Sequence, residues 1–214
     1  MVKEEVEIMI KNETLKGFFQ ELNVVYLPAL CYVNESVRQA VERKCARAER
    51  RKKIERERKW LGGFYAKEME NELFPLFEIR WIDATIGYGV FAQEEIQPGR
   101  FVGEYTGFVR KKRLFFYKSS NYCFGLETHM GFWGFVIDAE KGGNLTRFIN
   151  HSDQPNLEPI GVFWKGSLHI ILRSLKKIQK GEQLTYDYGA DYWSRRKDKV
   201  SPPDALPMNR LSRL

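Results

Sequence analysis

The stretch that decides the fold of this chain is "RFINHSDQP", residues 147–155. It places the four polar residues Asn-His-Ser-Asp directly after the apolar pair Phe148 and Ile149. Asn, Ser and Asp side chains favour turns because they hydrogen-bond to nearby backbone groups, whereas apolar neighbours favour burial. A buried polar turn needs hydrogen-bond partners. Two interpretations are therefore open: the turn is a local structural feature under a loop, or it holds a ligand.

The composition is typical of one folded domain of ordinary size with an added segment. The chain has 214 residues, of which 43% are hydrophobic and 14% aromatic, enough for a packed core. No apolar run reaches the roughly 18 residues of a membrane span. The acidic start "MVKEEVEIMIK" lacks the features of a secretory signal. We therefore expect a cytoplasmic protein by sequence.

The cysteines indicate free thiols in a reducing compartment. Cys31, Cys45 and Cys123 are scattered, and they form no ligand spacing with the three histidines. A structural zinc site is therefore not expected, and the predicted metal content is none.

The net charge of +7 is concentrated in one segment. Residues 38–59 hold eleven Lys or Arg against four Glu, a difference equal to the net charge of the whole chain. Such a stretch suits nucleic acid, an acidic partner or an import receptor. A solvated helix face explains it equally well, because the glutamates are interleaved.

The first part of the chain reads as helical. Residues 36–60 contain no Gly or Pro, so we expect one helix there, with Ser36 as a candidate cap and Gly62–Gly63 as its end. The pattern changes near Pro75. The sequence thus predicts a helical N-terminal segment with a basic helix at 1–75, a body at 76–193 and a tail at 194–214.

The body reads as mainly β, because short β-rich runs alternate with turn residues. Strands are expected near 77–82, 88–92, 101–107, 121–127, 134–138, 160–164 and 168–173. Short helical pieces are expected at 143–149 and near 190–197.

Four motifs stand out in the body. "IGYGVFA" (86–92) and "GEYTG" (103–107) place glycine, which allows close backbone approach, beside strands. A tight hairpin explains the first equally well. "RFINHS" is the third, and "GEQLTYDYG" (181–189) is the fourth. Tyr186 and Tyr188 would share one face of a strand, either as an aromatic slot or as a core pair.

In this order and spacing, the four motifs resemble the SET domain, the fold of many protein lysine methyltransferases. The resemblance covers residues 76–193 and rests mainly on "VIDAEKGGNLTRFINHSDQPN" and "KKIQKGEQLTYDYG". The short chain with its helical N-terminal segment also resembles the SET proteins of chlamydial bacteria. The resemblance implies a mainly β, β-clip-like fold with a knot-like crossing, in which the polar turn threads beneath the last motif.

The resemblance also implies a cofactor, S-adenosylmethionine, with S-adenosylhomocysteine as its product. The backbone of Gly87, Tyr88 and Gly89 would lie along the cofactor, and Asn150 and His151 would contact its adenine and amino-acid end. The remaining implied cofactor contacts are Tyr105, Arg147, Phe148, Tyr188 and Trp193.

The implied reaction is methyl transfer to a lysine amine. The amine, with a reference pKa of about 10.4, attacks only when neutral, and a nearby cation or an apolar channel lowers that pKa. In-line placement then supplies much of the rate. By resemblance, Tyr188 lies beside the methyl group, Tyr105 and Tyr122 line the lysine channel, and Tyr186 governs how many methyl groups fit.

The chain departs from a common SET pattern at one position. Many SET enzymes carry a cysteine after the serine of the turn and a cysteine-rich tail that binds zinc. Here Asp153 takes that position and no cysteine follows Cys123. The channel must then be closed in another way. Tyr192 and Trp193 are candidates, unless Trp193 only packs the tail onto the body.

The expected substrate is a lysine-rich protein, either a histone or a histone-like protein, with indirect association with chromatin. Two alternatives stay open: a non-catalytic SET-type binding module, and a basic protein associated with nucleic acid. The N-terminal helices offer apolar positions for a homodimer, and their removal is expected to leave a foldable body. If the chain is a chlamydial effector, we expect secretion into a host cell and a nuclear location.

Overall fold

A computed structural model of the chain describes residues 14–112, 120–126 and 134–194. These residues divide into two compact units. Unit 1 holds the described residues of 14–74, 101–147 and 159–172, and unit 2 holds 75–100, 148–158 and 173–194. Within the described residues, no helix has the length and apolar character needed to cross a membrane.

Strands dominate the body, as predicted, and helices are concentrated before it. The helices are α1 (14–21), α2 (Glu35–Arg50), α3 (Arg56–Phe64), α4 (Ala66–Glu70) and α5 (Ala190–Ser194), with a 3-10 turn at Leu145–Phe148. The strands are β1 (Val25–Tyr26), β2 (Cys31–Tyr32), β3 (Phe77–Asp83), β4 (Gly87–Ala92), β5 (Phe101–Glu104), β6 (Phe108–Lys111), β7 (Cys123–Gly125), β8 (Phe135–Asp138), β9 (Gly142–Gly143), β10 (Asn150–His151), β11 (Leu157–Trp164), β12 (Ser167–Ser174) and β13 (Thr185–Tyr186).

Helix α2 begins at a side-chain cap that the sequence prediction placed two residues too late. Asn34, not Ser36, is the cap: its Oδ1 accepts the backbone N–H of Val37 at 3.0 Å. This bond satisfies one of the free donors of the first turn. Ion pairs from Arg38 to a glutamate three residues before it and another four residues after it support the outer face.

The predicted single helix over 36–60 is wrong, because helix α2 ends at Arg50 and a second helix, α3, begins at Arg56. The predicted end at Gly62–Gly63 is also wrong, since both glycines lie inside α3. The reason is packing. A Cβ on Gly62 would collide with the backbone carbonyl of Phe163 in unit 1, so glycine is required there to bring the helix close to that strand.

The two neighbouring glycines of α3 should respond oppositely to alanine. Gly62→Ala should lower the free energy of unfolding by about 3 kcal/mol, because a backbone atom cannot move aside cheaply. Gly63→Ala should raise it by up to about 1 kcal/mol, because its Cβ would meet nothing within 4 Å and alanine favours helix. Urea unfolding of both variants tests this. Equal effects would contradict the close packing of α3.

The N-terminal helices belong to the core of unit 1. The buried face of α2, formed by Val37, Val41 and Cys45, lies in one apolar cluster with Val109, Ile137 and Ile170. Residues Leu61, Tyr65 and Met69 of α3 and α4 lie in a second cluster with Phe101, Val162 and Ile171. The apolar positions that suggested a homodimer interface therefore have partners within the chain.

Two groups of strands build the rest of unit 1. The first sheet has the order β2-β6-β8-β7, in which β2 runs parallel to β6 and the other pairs are antiparallel. In the second, β11, β12 and β5 are neighbours in that order. A short parallel pair joins β1 to β9.

Unit 2 contains a crossing of the chain over itself. Strand β13 pairs in parallel with β10 on one side, Asn150 with Thr185 and His151 with Tyr186. On the other side it pairs in parallel with β11, through Leu157 and Tyr186. Residues 152–156 must therefore pass over β13, although parallel strands usually need a connection of about a dozen residues. This five-residue crossover lies where the resemblance implied a knot-like crossing.

Unit 2 also contains an antiparallel hairpin of β3 and β4. The register pairs Phe77 with Ala92 and Trp81 with Tyr88, and it shifts between Trp81 and Asp83. After the shift, Asp83 pairs with Gly87, the first residue of β4. The hairpin thus presents the "GYG" motif at its closed end.

Candidate functional site

The polar turn is held by hydrogen bonds to the strand that it crosses. The backbone N–H of Ser152 donates to the Tyr186 carbonyl at 3.3 Å. The side chain of Asn156 does more: Nδ2 donates to the Gln183 carbonyl at 2.8 Å, and Oδ1 accepts the Thr185 N–H at 2.9 Å. The buried polar turn that the sequence predicted is not observed: Asn150, His151 and Ser152 are half-buried and Asp153 is exposed, whereas Asn156 is buried. These hydrogen bonds give the turn a structural role.

Asn156 is a residue that the sequence reasoning missed. It is 6% exposed, and its amide acts as a two-way clamp on the last motif. A buried asparagine must use both ends of its amide. Its place directly after Pro155 in "SDQPN" was the available signal, since a polar residue so close to an apolar strand needs a partner.

The glycine motif is joined to the polar turn by the Asn150 side chain. Nδ2 of Asn150 donates to the Tyr88 carbonyl at 3.0 Å. A Cβ on Gly89 would lie 2.6 Å from Ile82 Cδ1 and 3.2 Å from Asn150 Nδ2, so this glycine lets the turn approach the strand. Gly87 has φ +82°, and the space where its Cβ would be is open.

The hydroxyl and the backbone of Tyr188 are both fixed by the turn. The phenol donates to the Ile149 carbonyl at 3.0 Å, and the backbone N–H donates to His151 Nδ1 at 3.2 Å. Because an N–H must be the donor, Nδ1 of His151 is the acceptor and Nε2 carries the hydrogen. That hydrogen is then directed at Asp153 Oδ1, 3.0 Å away.

An aromatic cluster surrounds Tyr188. Its ring centroid lies 4.8 Å from that of Tyr186 and 4.6 Å from that of Tyr192. Trp193 packs edge-on against His151 at 4.9 Å and Tyr192 at 5.0 Å. Five of the rings that the sequence singled out are therefore neighbours within unit 2. Trp193 packs onto the polar turn itself, and its predicted contact with the cofactor stays a prediction.

Phe148 and Tyr88 also lie together in unit 2. Their ring centroids are 5.9 Å apart at 72°, the edge-to-face arrangement that aromatic pairs prefer. Phe148 is 6% exposed. This contact gives Phe148 a packing role beside the glycine motif.

The other predicted site residues form a separate group in unit 1. Tyr105 is 3% exposed, and its hydroxyl donates to the Tyr122 carbonyl at 2.8 Å. The guanidinium of Arg147 lies over the Tyr122 ring at 4.3 Å, and its Nε donates to the Ala139 carbonyl at 2.9 Å. Tyr105 and Arg147 thus hold Tyr122 from its backbone and its ring.

The charge of Arg147 is buried in this group. Burial lowers the pKa of its guanidinium, and the phenols of Tyr122 and Tyr105 oppose that shift. A guanidinium nevertheless stays charged in proteins. Arg147 donates to the backbone carbonyls of Ala139 and Glu140 in unit 1. Its predicted contact with the cofactor stays a prediction.

A buried polar network beneath "GEYTG" was not predicted. Asn144 Nδ2 donates to the Glu104 carbonyl at 2.8 Å, and Oδ1 accepts the Thr146 N–H at 3.1 Å. The Glu104 carboxylate lies 2.8 Å from Nδ1 of His169. All four residues belong to unit 1. The polar residues Asn144 and Thr146 of "GGNLTRF", which lie between apolar residues, were the sequence signal for this network.

Metal ligands do not cluster in the part of the chain that the structure describes. No group of three or more His, Cys, Asp or Glu side chains there could hold a metal ion. Cys31, Cys45 and Cys123 are free thiols. Burial raises the pKa of Cys45 to about 11.

Comparisons with known proteins match about half of this chain or slightly more. The SET domain family model matches residues 87–189. The histone-lysine N-methyltransferase set-2 of Caenorhabditis elegans is 39% identical over 111 residues, covering 48% of this chain and 7% of that protein. The human histone-lysine N-methyltransferase EHMT1 is 37% identical over 113 residues, with coverages of 50% and 9%.

A solved structure is similar as well. It is described as ctPRC2, the polycomb repressive complex 2 of Chaetomium thermophilum, in an autoinhibited conformation bound to S-adenosylmethionine. The TM-score is 0.50 at 28% sequence identity, over 60% of this chain and 17% of that one. This chain therefore spans only a small part of the relatives that it matches. Residues 87–189 of this chain are a SET domain.

Proposed function

We propose that this protein transfers a methyl group from S-adenosylmethionine to the side-chain amine of a protein lysine. The observation that carries the proposal is the double anchoring of Tyr188 by the polar turn, through its hydroxyl to Ile149 and its backbone to His151. The methyltransferase relatives support it, because they are 39% and 37% identical to about half of this chain, and the SET domain family model covers the residues named here.

The residues of unit 2 suit S-adenosylmethionine chemically. This cofactor supplies an activated methyl group on a sulfonium, together with an adenine ring and an amino-acid end. The open space at Gly87 exposes backbone donors and acceptors to it. With Nδ2 committed to Tyr88, Asn150 offers its amide oxygen to an ammonium group. The rings of His151 and Trp193 provide flat apolar surface for adenine.

The anchoring of Tyr188 determines what its hydroxyl can do. Because the proton is donated to the Ile149 carbonyl, the lone pairs of the phenol oxygen point away from that carbonyl. They can accept weak C–H···O contacts from a methyl group in transfer. His151, fixed as an acceptor by the Tyr188 N–H, holds the backbone in place. The protein thus contributes orientation rather than acid–base chemistry.

The identity of the substrate protein is a more specific proposal than the reaction itself. We propose a histone or histone-like protein as substrate, supported by the relatives described as histone-lysine methyltransferases. We propose that the reaction needs no metal, and the lysine-channel roles of Tyr105 and Tyr122 stay predictions. The homodimer, the link to chromatin, the localisation and the chlamydial resemblance stay predictions.

A transfer assay with a protein panel tests the proposed function. The full chain is incubated with methyl-labelled S-adenosylmethionine and a mixture of histones and bacterial histone-like proteins. We expect label on the lysines of at least one protein, and inhibition by S-adenosylhomocysteine. If labelled S-adenosylmethionine binds to the enzyme but no protein of the panel becomes labelled, the result would instead support the non-catalytic binding module.

Gly89→Ala should weaken cofactor binding more than it weakens folding. The new Cβ would push on Ile82, Gln183 and Asn150 at once. The three contacting atoms are side-chain ends that can shift, but the shift would cost the hydrogen bond from Asn150 to Tyr88, worth about 1 kcal/mol. We expect roughly a five- to tenfold rise in the Kd of S-adenosylhomocysteine by calorimetry. An unchanged Kd would show that the close contact of Gly89 with Asn150 does not contribute to cofactor binding.

Tyr186→Phe should shift the products toward higher methylation. Tyr186 is 6% exposed and its ring adjoins Tyr188, so loss of its hydroxyl would leave a small space that a methylated lysine nitrogen could use. We expect mainly monomethyl-lysine from the natural protein and dimethyl- or trimethyl-lysine from the variant. Intact-mass analysis at long reaction times decides this. Abundant trimethyl-lysine from the natural protein would contradict it.

A further inference from the structure

The outer face of α3 exposes two large aromatic rings. Leu61 of this helix and Tyr65, directly after its last residue, are buried. On the solvent-exposed side of the helix Trp60 is 63% exposed and Phe64 58% exposed. Their rings stack on each other, with centroids 5.0 Å apart and planes at 21°. An exposed pair of this kind points to a binding surface rather than to packing.

Cations surround this aromatic pair along the chain. Residues 50–53, Arg-Arg-Lys-Lys, are all exposed and directly precede α3. Arg56 is exposed one helical turn before Trp60. In the part of the chain that the structure describes, none of these five cations forms an ion pair, whereas Arg38, Arg58 and Lys59 pair with glutamates. Among the described residues, no carboxylate neutralises their charge through an ion pair.

The cations are presented on a fixed support. Ile54, inside the connection between α2 and α3, is 6% exposed and lies in the apolar core cluster of unit 1. Lys59 of α3 contacts Glu49 of α2 at 2.6 Å. These two contacts hold the end of α2 next to the start of α3. The entropy cost of ordering this surface when a ligand binds is therefore small.

We propose that this basic–aromatic face, formed by residues 50–53, Arg56, Trp60 and Phe64, binds single-stranded nucleic acid. Free cations pair with phosphates, and an exposed flat ring stacks on a base of any sequence. Unpaired bases offer that face, whereas bases in a duplex are already stacked on each other. An acidic peptide would meet the charges but would leave the rings without a flat partner. The surface adds a binding function to the proposed methyl transfer.

Fluorescence anisotropy with the full chain tests the proposal. The probes are a labelled 20-nucleotide single strand, the matching duplex and an acidic poly-glutamate peptide, each measured across salt concentrations. We expect roughly tenfold tighter binding of the single strand than of the duplex, because of stacking. Tighter binding of the peptide or the duplex would overturn the proposal.

Two variants separate the rings from the charges. Trp60→Leu with Phe64→Leu should weaken single-strand binding about tenfold and leave its salt dependence unchanged. Arg50→Gln, Arg51→Gln, Lys52→Gln and Lys53→Gln together should also weaken it about tenfold, and should reduce the slope of log K against log salt by roughly 2 to 3.

Matched controls exclude effects of general charge and hydrophobicity. Trp81→Leu removes a 58% exposed tryptophan of unit 2, and glutamine at Lys141, Lys176, Lys177 and Lys180 removes four other exposed charges. Both controls should change binding no more than twofold. Equal losses in controls and variants would show nonspecific attraction and overturn the proposal. Each variant tests the surface independently, so failure of one to fold leaves the other decisive.

Discussion

Tyr188→Phe is expected to lower the rate of methyl transfer about a hundredfold while the protein stays folded. The change removes the hydroxyl that donates to Ile149 and keeps the ring among Tyr186 and Tyr192. Loss of one oriented polar group in the transition state can cost roughly 3 kcal/mol. The loss of a neutral hydrogen bond in the folded state costs only about 1 kcal/mol.

The matched control is Tyr32→Phe. It removes another half-buried hydroxyl, which lies 3.3 Å from Ser167 in unit 1. Single-turnover kinetics with saturating S-adenosylmethionine should show the loss for Tyr188→Phe alone. Near-normal rates for Tyr188→Phe, with the protein still binding S-adenosylhomocysteine, would remove Tyr188 from the reaction.

Deletion of residues 1–70 is expected to abolish folding, in contrast to the separable segment that the composition suggested. Each buried apolar side chain contributes about 1.5–3 kcal/mol, whereas a whole domain is stable by only about 5–15 kcal/mol. Between residues 14 and 70, the deletion removes nine buried apolar residues: Leu15, Phe19, Val37, Val41, Cys45, Ile54, Leu61, Tyr65 and Met69.

The measurement is circular dichroism and size-exclusion chromatography of residues 71–214. We expect insoluble or unfolded protein, since the strands of unit 1 would lose the apolar partners that α2, α3 and α4 supply. Supplying residues 1–70 as a separate chain should restore part of the fold. A soluble, cooperatively unfolding fragment would show that the N-terminal segment is separable after all.

The strands of the body could be predicted from sequence because their patterns are local. The predicted strand near 77–82 is Phe77–Asp83, and the one near 168–173 is Ser167–Ser174. Strand Phe108–Lys111 was missed, since only its first half is apolar. Its place in the sheet depends on pairing with Phe135–Asp138, which a local pattern does not contain.

Helix ends in the N-terminal segment depend on contacts that are distant in sequence. The pair Gly62–Gly63 has the usual look of a helix end, yet Gly62 serves the close approach to Phe163. The same contact with the core turns Leu61 inward and Trp60 outward. Composition alone therefore made the segment look independent and hid its exposed aromatic pair.

The site was predictable where motifs carried it. Asn150 and His151, which form strand β10 rather than the predicted turn, lie with the tyrosine pair in unit 2, and Asn150 reaches the glycine motif. Asn156 and the network of Asn144 were missed because their partners are backbone groups about 30 to 40 residues away. The roles given to Tyr105, Tyr122 and Arg147 at the reaction centre stay predictions.

The proposed methyl transfer to lysine is tested most directly by mass spectrometry of the reaction products. The full chain is incubated with S-adenosylmethionine and a lysine-rich histone, beside the same reaction with Tyr188→Phe. We expect methyl groups on the ε-nitrogen of lysine, formed in equal amount with S-adenosylhomocysteine, and nearly none with the variant. Methyl groups on another residue type, or no transfer by the natural protein despite measured cofactor binding, would contradict it.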